Sequence, residues 1–304
     1  MSSTSDADIV PQTPSNEPSA YRQRSPLYFA WRRFTGNKAA VASGIILALL
    51  IGMAIFAPIV TPSHYTAQDF LVQSLAFPSQ EHWFGIDDLG RDFYSRIVYG
   101  ARVSLSIGFI SAGFSVLIGI PLGALAGYYG GATDWFVMRF IELFSVVPPL
   151  MAALLLGALT RGGYFSIVFI AALFGWVQVC LLVRAQVKSF REKEFVRAAQ
   201  ALGATPWYII RRHLIPNSIS PIIVGFVLAI PLAMMLEASL SFLGIGVQPP
   251  TPSWGQMINT GMNFMFFYWH LAVFPTAALA ITVLATTLFG DGLRDALDPT
   301  LKGR

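Results

Sequence analysis

Apolar residues along this chain gather into six long blocks, at about 40–60, 103–127, 136–159, 164–183, 219–236 and 269–289, with polar residues returning between them. A helix rises about 1.5 Å per residue, so each block has roughly the length needed to cross about 30 Å of hydrocarbon. The pattern predicts an all-α membrane protein, a six-helix transmembrane bundle forming one polytopic domain over residues 40–304. The first block carries no charge, whereas the third has Arg139 and Glu142 in its opening turns. Prolines 121, 148, 149, 221, 231 and 275 fall inside the blocks. Each removes a backbone hydrogen bond in a helix interior, which predicts bent helices with room for a cavity between them.

The intervals have characters of their own. Residues 1–25 are rich in Ser, Pro, Asn and acid and read as a disordered tail, with neither the basic start nor the apolar core of a signal peptide. Residues 26–39 mix Tyr28, Phe29, Trp31 and Phe34 with Arg32, Arg33 and Lys38, the composition of an amphipathic segment lying in the headgroup layer. In GIDDLGRDFYSRIVYGAR, Asp87, Asp88 and Asp92 stand close enough together to suggest a divalent cation. Arg91 and Arg96 among them point instead to ion pairs that cap and orient the next helix. The glycines of GYYGGATDW, residues 127–135, predict a tight turn between the second and third spans. Beyond 236 the apolar character runs on to Val247 before Pro249, Pro250 and Pro252, suggesting short interfacial helices over the mouth of the bundle.

Composition narrows the class. The chain has 304 residues, of which 55% are hydrophobic and only 12% charged, far from a soluble domain. A net charge of +4 could suggest nucleic acid, but its distribution points elsewhere. Residues 21–38 hold Arg22, Arg24, Arg32, Arg33 and Lys38, and 184–217 hold Arg184, Lys188, Arg191, Lys193, Arg197, Arg211 and Arg212, while 237–268 lack Lys and Arg altogether. That asymmetry follows the positive-inside rule and predicts both termini in the cytoplasm. The lone Cys180 sits in an apolar block and reads as packing. There is no G-x-x-x-x-G-K-[ST] to cradle a nucleotide, no metal-ligand spacing among His64, His82, His213 and His270, and no nucleophile elbow. Neither catalysis nor a bound cofactor is expected of the chain by itself.

The interval EFVRAAQALGATPWYIIRRHLIPN, residues 194–217, is a long polar stretch between two spans. A bundle that only had to sit in lipid would need a short turn here. Composition leaves two readings open: a surface offered to another protein, or a solvated cytoplasmic loop. The pattern resembles the cytoplasmic EAA loop of the permease subunits of bacterial ABC importers. Ala198 and Ala199 stand for its two alanines, Gly203 for the glycine four residues later and Pro216 for its closing proline. Arg197 replaces the motif's glutamate, with Glu194 three residues earlier, and His213 and Ile215 replace its later isoleucine and leucine. The longer stretches HWFGIDDLGRDFYSRIVYGARVSL, LEASLSFLGIGVQPPTPSWG and GDGLRDALDP extend the resemblance over nearly all of the chain from about residue 27. They are similar to the peptide/nickel branch of that family, in particular its dipeptide and oligopeptide C-type subunits.

The resemblance implies a fold of the type I ABC importer permease kind, with a helix over 194–206 that ends at Gly203 and couples to an ATPase. It implies Glu194, Arg197, Ala198, Ala199, Gly203, Ala204, Pro206 and Pro216 as coupling residues. Glu237, Ser239, Phe242, Gly244 and Gln248 become candidates for the outer gate or solute path. The implied partners are a homologous second permease subunit, two ABC ATPase subunits carrying ATP and Mg, an extracytoplasmic solute-binding protein, membrane lipid and a di- or oligopeptide, with no nucleic acid. The implied place is the bacterial cytoplasmic membrane. A nickel or other small-solute importer is the alternative. An ion-coupled carrier, for which Glu142 is the main membrane carboxylate, and a non-transporting anchor stand further off.

Overall fold

Residues 26–69 and 73–297 are described by a computed structural model; the expected tail over 1–25 and the last seven residues lie outside them. The described chain is helical almost throughout. Two helices, α1 (Pro26–Gly36) and α2 (Lys38–Ile55), are joined at Asn37, whose side chain accepts the Ala39 and Ala40 amides and so caps α2. Phe34 of α1 packs edge-on against Phe289, and Trp31 is largely exposed. A short α3 (Ala57–Val60) leads into the outer loop.

Next comes α4 (Phe93–Tyr129), whose 37 residues span about 55 Å, well beyond the hydrocarbon thickness. It begins ten residues before the expected second span because its start is fixed by a cap and not by hydropathy. Asp92 accepts the Ser95 backbone amide at 2.7 Å and its hydroxyl at 2.8 Å. The neighbouring acid group works with the arginines as expected: Asp87 accepts from Arg91 Nε at 2.6 Å and lies 3.3 Å from Arg96 Nε. Arg102 donates to the Ala54 and Ile55 carbonyls at the end of α2.

The third expected span is two helices, α5 (Gly131–Val146) and α6 (Pro149–Leu159), bent by 81° at Val147 and Pro148. The Pro148–Pro149 pair explains the break, since neither residue can donate to the preceding turn. Five single helices are long and apolar enough to cross a membrane, or six spans if the bent pair counts as one. The remaining three long helices, α7 (Tyr164–Arg191), α11 (Ile219–Phe242) and α13 (His270–Leu297), all run past the ends of their apolar blocks. Between α7 and α11 lie α8 (Glu194–Ala201), α9 (Pro206–Ile209), a π-helical turn (210–214) and α10 (Ile215–Asn217); α12 (Trp254–Met262) follows α11 at the opposite end of the bundle from α8. Pro221 falls in the first turn of α11, where its missing N–H costs nothing, whereas Pro121, Pro231 and Pro275 are interior.

The spine of the bundle is the contact of α4 with α7. Gly119, Gly123 and Gly127 recur every four residues along one face of α4. A Cβ at Gly119 would lie 2.8 Å from Val179 Cβ, at Gly123 2.5 Å from the Cys180 carbonyl, and at Gly127 2.7 Å from the Arg184 carbonyl. The two backbones therefore touch. Small residues make close helix approach possible where lipid offers no hydrophobic drive to associate. We expect Gly123→Val to lower the melting temperature of the purified permease by about 3–10 °C, as overpacking by about 1–3 kcal/mol would. The melt is read by labelling of the buried lone thiol Cys180 with a fluorogenic maleimide. Gly113→Val, where an added Cβ meets nothing within 4 Å, is the control, and equal losses at both positions would refute the close-contact account.

Candidate coupling surface and outer polar node

At the end of α4 and α7 that carries the basic intervals, α8 rests on the bundle chiefly through Val196, with Ala199 beside it and Gln200 donating to the Tyr128 hydroxyl at 3.4 Å. Val196 is fully buried in a cluster with Tyr128 of α4, Val183 and Val187 of α7, and Ile209, Ile210 and Leu214 of the following segment. The rest of α8 faces out: Glu194, Arg197 and Ala198 are exposed and Ala199 half-buried. The helix ends at Ala201, earlier than the expected 206. Gly203 adopts φ +79, its amide donates to Gln200, and the Ala204 amide returns to the Ala199 carbonyl. Those two bonds make a Schellman stop that a left-handed residue is needed to form. Thr205 then caps a new helix, with Pro206 in its first turn.

Pro216 does not stop the chain. The Ile215 amide donates to the Ile210 carbonyl, one residue further back than in an α-helix, so the turn before Pro216 is widened into a π turn. The helical path then passes through Pro216 and Ser218 into α11, so the segment after Gly203 runs almost without interruption into a membrane span. Such π turns are rare and concentrate at functional sites.

Charge around α8 is tied to the bundle. Arg191 donates to the Tyr128 carbonyl at 3.0 Å and to Glu192 at 3.1 and 3.2 Å, and Arg197 reaches the other Glu192 oxygen at 3.5 Å. The Arg191 hydrogen bond holds Glu192 below the usual carboxylate range. Arg197 therefore pairs with Glu192, a residue the sequence pattern did not single out, and Glu194 stays exposed in the first turn. Two turns deeper along α7, Arg184 grips both oxygens of Asp134, joining α7 to the start of α5.

The segment also presents an apolar surface that sequence reasoning passed over. Leu202 is 89% exposed, and Phe195, Trp207 and Tyr208 are exposed beside it. Leucine and tryptophan usually signal core, so their residue types did not mark them as outward. Their setting in a polar interval next to the stop glycine was the available clue.

At the other end of the bundle the gate candidates separate. Ser239 is half-buried, and Phe242, Gly244 and Gln248 are exposed at and beyond the end of α11, so they can meet a solute. Glu237 differs from them: it is fully buried. It sits instead in a polar node, accepting from Ser104 Oγ at 3.1 Å and Ser241 Oγ at 2.7 Å. Glu142, by contrast, is half exposed and pairs with Arg139 at 2.5 Å. Among the described residues no group of three or more His, Cys, Asp or Glu has metal-binding geometry.

Known proteins share this arrangement. Residues 119–303 match the family described as binding-protein-dependent transport system inner membrane component, and residues 25–78 match the N-terminal TM domain of oligopeptide transport permease C. The chain is 40% identical over 282 residues to the glutathione transport system permease protein GsiD of Pectobacterium atrosepticum, covering 92% of this chain and 93% of that one. It is 41% identical over 274 residues to the dipeptide transport system permease protein DppC of Bacillus subtilis, covering 90% and 85%. Against the oligopeptide transport system permease protein OppC of the same organism it is 40% identical over 274 residues, covering 90% and 89%. An inward-facing structure of the MetNI methionine ABC transporter superposes with a TM-score of 0.53 at 18% identity, over 67% of this chain and 96% of that one, a likeness of fold. The chain belongs to the family of binding-protein-dependent transport system inner membrane components, as a multi-pass permease subunit of an ABC importer whose ATPase is carried on separate chains.

Proposed function

We propose that this permease forms one wall of a pathway for di- or oligopeptides, completed by a homologous second permease. The observation that carries the solute class is the company the chain keeps: relatives at about 40% identity over nine-tenths of its length are named for glutathione, dipeptide and oligopeptide transport. Two ATPase subunits, holding ATP and Mg, engage α8 from the cytoplasm, and a solute-binding protein delivers to the outer side. The Lys and Arg asymmetry supports this orientation, with both termini inside. The aromatic and basic face of α1 then lies against lipid headgroups.

In this reading Ala198 and Ala199 let a partner surface approach α8 closely, and Leu202, Trp207 and Tyr208 supply the apolar area that anchors it. Glu194, Arg197, Ala204 and Pro206 frame that contact, and Arg197 with Glu192 adds orientation more than affinity, as exposed pairs do. Movement of the ATPases reaches α11 through the widened turn at Pro216 and the core below it. The bundle then alternates between outward- and inward-open states, the two-state gating expected of such a carrier.

Coupling can be tested at Gly203. An added side chain meets nothing within 4 Å, but φ +79 imposes about 1–2 kcal/mol of strain on a β-branched residue. Gly203→Val is expected to insert normally yet lose most solute-stimulated ATP hydrolysis in the assembled importer, while Gly203→Asn, which tolerates a left-handed backbone, retains it. Unchanged stimulation in Gly203→Val would remove α8 from the coupling path.

The solute and the orientation are tested together in vesicles reconstituted with both permeases, the ATPases and the binding protein. Labelled peptide should accumulate only with ATP, and Thr205→Cys in a Cys180→Ala background should react with an impermeant thiol reagent only on the ATPase side. Uptake of nickel without peptide, uptake without ATP, or labelling from the binding-protein side would each overturn its part of the proposal.

A further inference from the structure

Glu237 is a fully buried carboxylate on a membrane helix, and no ion-pair partner for it exists among the described residues. Burying such a group is costly unless its hydrogen bonds are met, so its neighbours carry the explanation. Three serines gather on the carboxylate, Ser104, Ser241 and Ser253, and the first two also hold backbone amides. Ser104 of α4 donates to Glu237 and accepts the Trp254 amide at 3.2 Å. Ser241 of α11 donates to Glu237 at 2.7 Å and accepts the Val247 amide at 3.2 Å. A hydroxyl has one proton and two lone pairs. With that proton committed to the carboxylate, each serine turns a lone pair toward a backbone N–H of the outer segment.

The segment held in this way joins α11 to α12. Val247 follows the end of α11, and Trp254 opens α12, its ring fully buried and its indole N–H bonded to the Ile97 carbonyl. Ser253 caps α12 and lies 3.5 Å from the Ser241 hydroxyl. At Gly255 a Cβ would stand 2.6 Å from Ala238 Cα, so α12 is seated directly on α11. Exposed Gln248 lies between the two anchored amides, and exposed Phe242 and Gly244 lie just before the first of them.

We infer that Glu237 is a positioning residue of the outer gate: by accepting from Ser104 and Ser241 it orients both hydroxyls to hold the Val247 and Trp254 amides, and so fixes the 243–253 segment across α4, α11 and α12. Its carboxylate does not touch the solute. Serines alone could turn either way; the carboxylate removes that choice. This inference rests on the importer reading only for its consequence in transport, since the orientation itself is a property of the isolated permease.

The test is hydrogen exchange of the full-length permease in lipid nanodiscs, without solute or ATP, followed in peptides covering Val247 and Trp254. Glu237→Gln replaces one acceptor oxygen by a donating amide, so one serine loses its orientation. Exchange at Val247 or Trp254 should rise about tenfold, with α7 unchanged. Ser104→Ala should release Trp254 alone and Ser241→Ala Val247 alone, changes small enough to survive where Glu237→Gln does not fold. In the assembled importer a loosened gate lowers the ratio of solute-stimulated to basal ATP hydrolysis, whereas general destabilisation lowers both rates together. Exchange within about twofold of wild type at both amides in Glu237→Gln, or no selective release in the two serine variants, would overturn the inference whatever the transport assays show.

Discussion

Everything in this bundle hangs on how closely α4 and α7 approach. Gly119, Gly123 and Gly127 leave no side chain between the two backbones, so the helices behave as one strut along their shared length. At one end the strut supplies Tyr128, Val183 and Val187, the floor on which Val196 of α8 sits. At the other it supplies Ser104, which takes part in the buried node beneath the outer segment. A looser crossing would let the two ends move independently. Backbone contact makes a shift at α8 a shift of the whole strut, because packed interfaces rearrange as units and do not stretch.

The two ends treat polarity in opposite ways. Around α8 the charges are exposed and paired in the open, as Arg197 with Glu192, where each pair contributes little energy and much orientation. Beneath the outer segment the only carboxylate of α11 is wholly enclosed and satisfied by hydroxyls. An exposed network can exchange partners when another protein arrives. A buried one holds its geometry until the helices around it separate. That contrast suits the proposed importer, in which the α8 end is pushed and the other end keeps a defined shape.

Much of this was legible in the residues. Hydropathy is a local property, so the spans were found, as were the Arg139–Glu142 pair, the capping role of the Asp87–Asp92 group and the stop at Gly203. What failed to show was set by distant partners. The start of α4 at Phe93 was hidden because Arg96 and Arg102 make its first turns look like loop, although Asp92 before Ser95 was a readable cap. Pro148–Pro149 announced a break in the third span but not its 81° angle, which tertiary packing decides. Glu237 looked like a path residue since its fixing partner, Ser104, lies 133 positions away. Leu202 was missed for the opposite reason: hydrophobicity suggests the core, and only the structure places it outside.

The central claim is that the exposed apolar surface around α8 is where the driving subunits grip this permease. Leu202 tests it most directly, since at 89% exposure its replacement disturbs no internal contact. The measurement is the amount of ATPase that stays with a Leu202→Asp permease when the assembled importer is purified in detergent. Retention should fall by about tenfold or more, as loss of a central apolar anchor costs an interface, while the permease itself inserts and melts like the wild type. A full complement of ATPase on the Leu202→Asp permease, with solute-stimulated hydrolysis intact, would contradict the account.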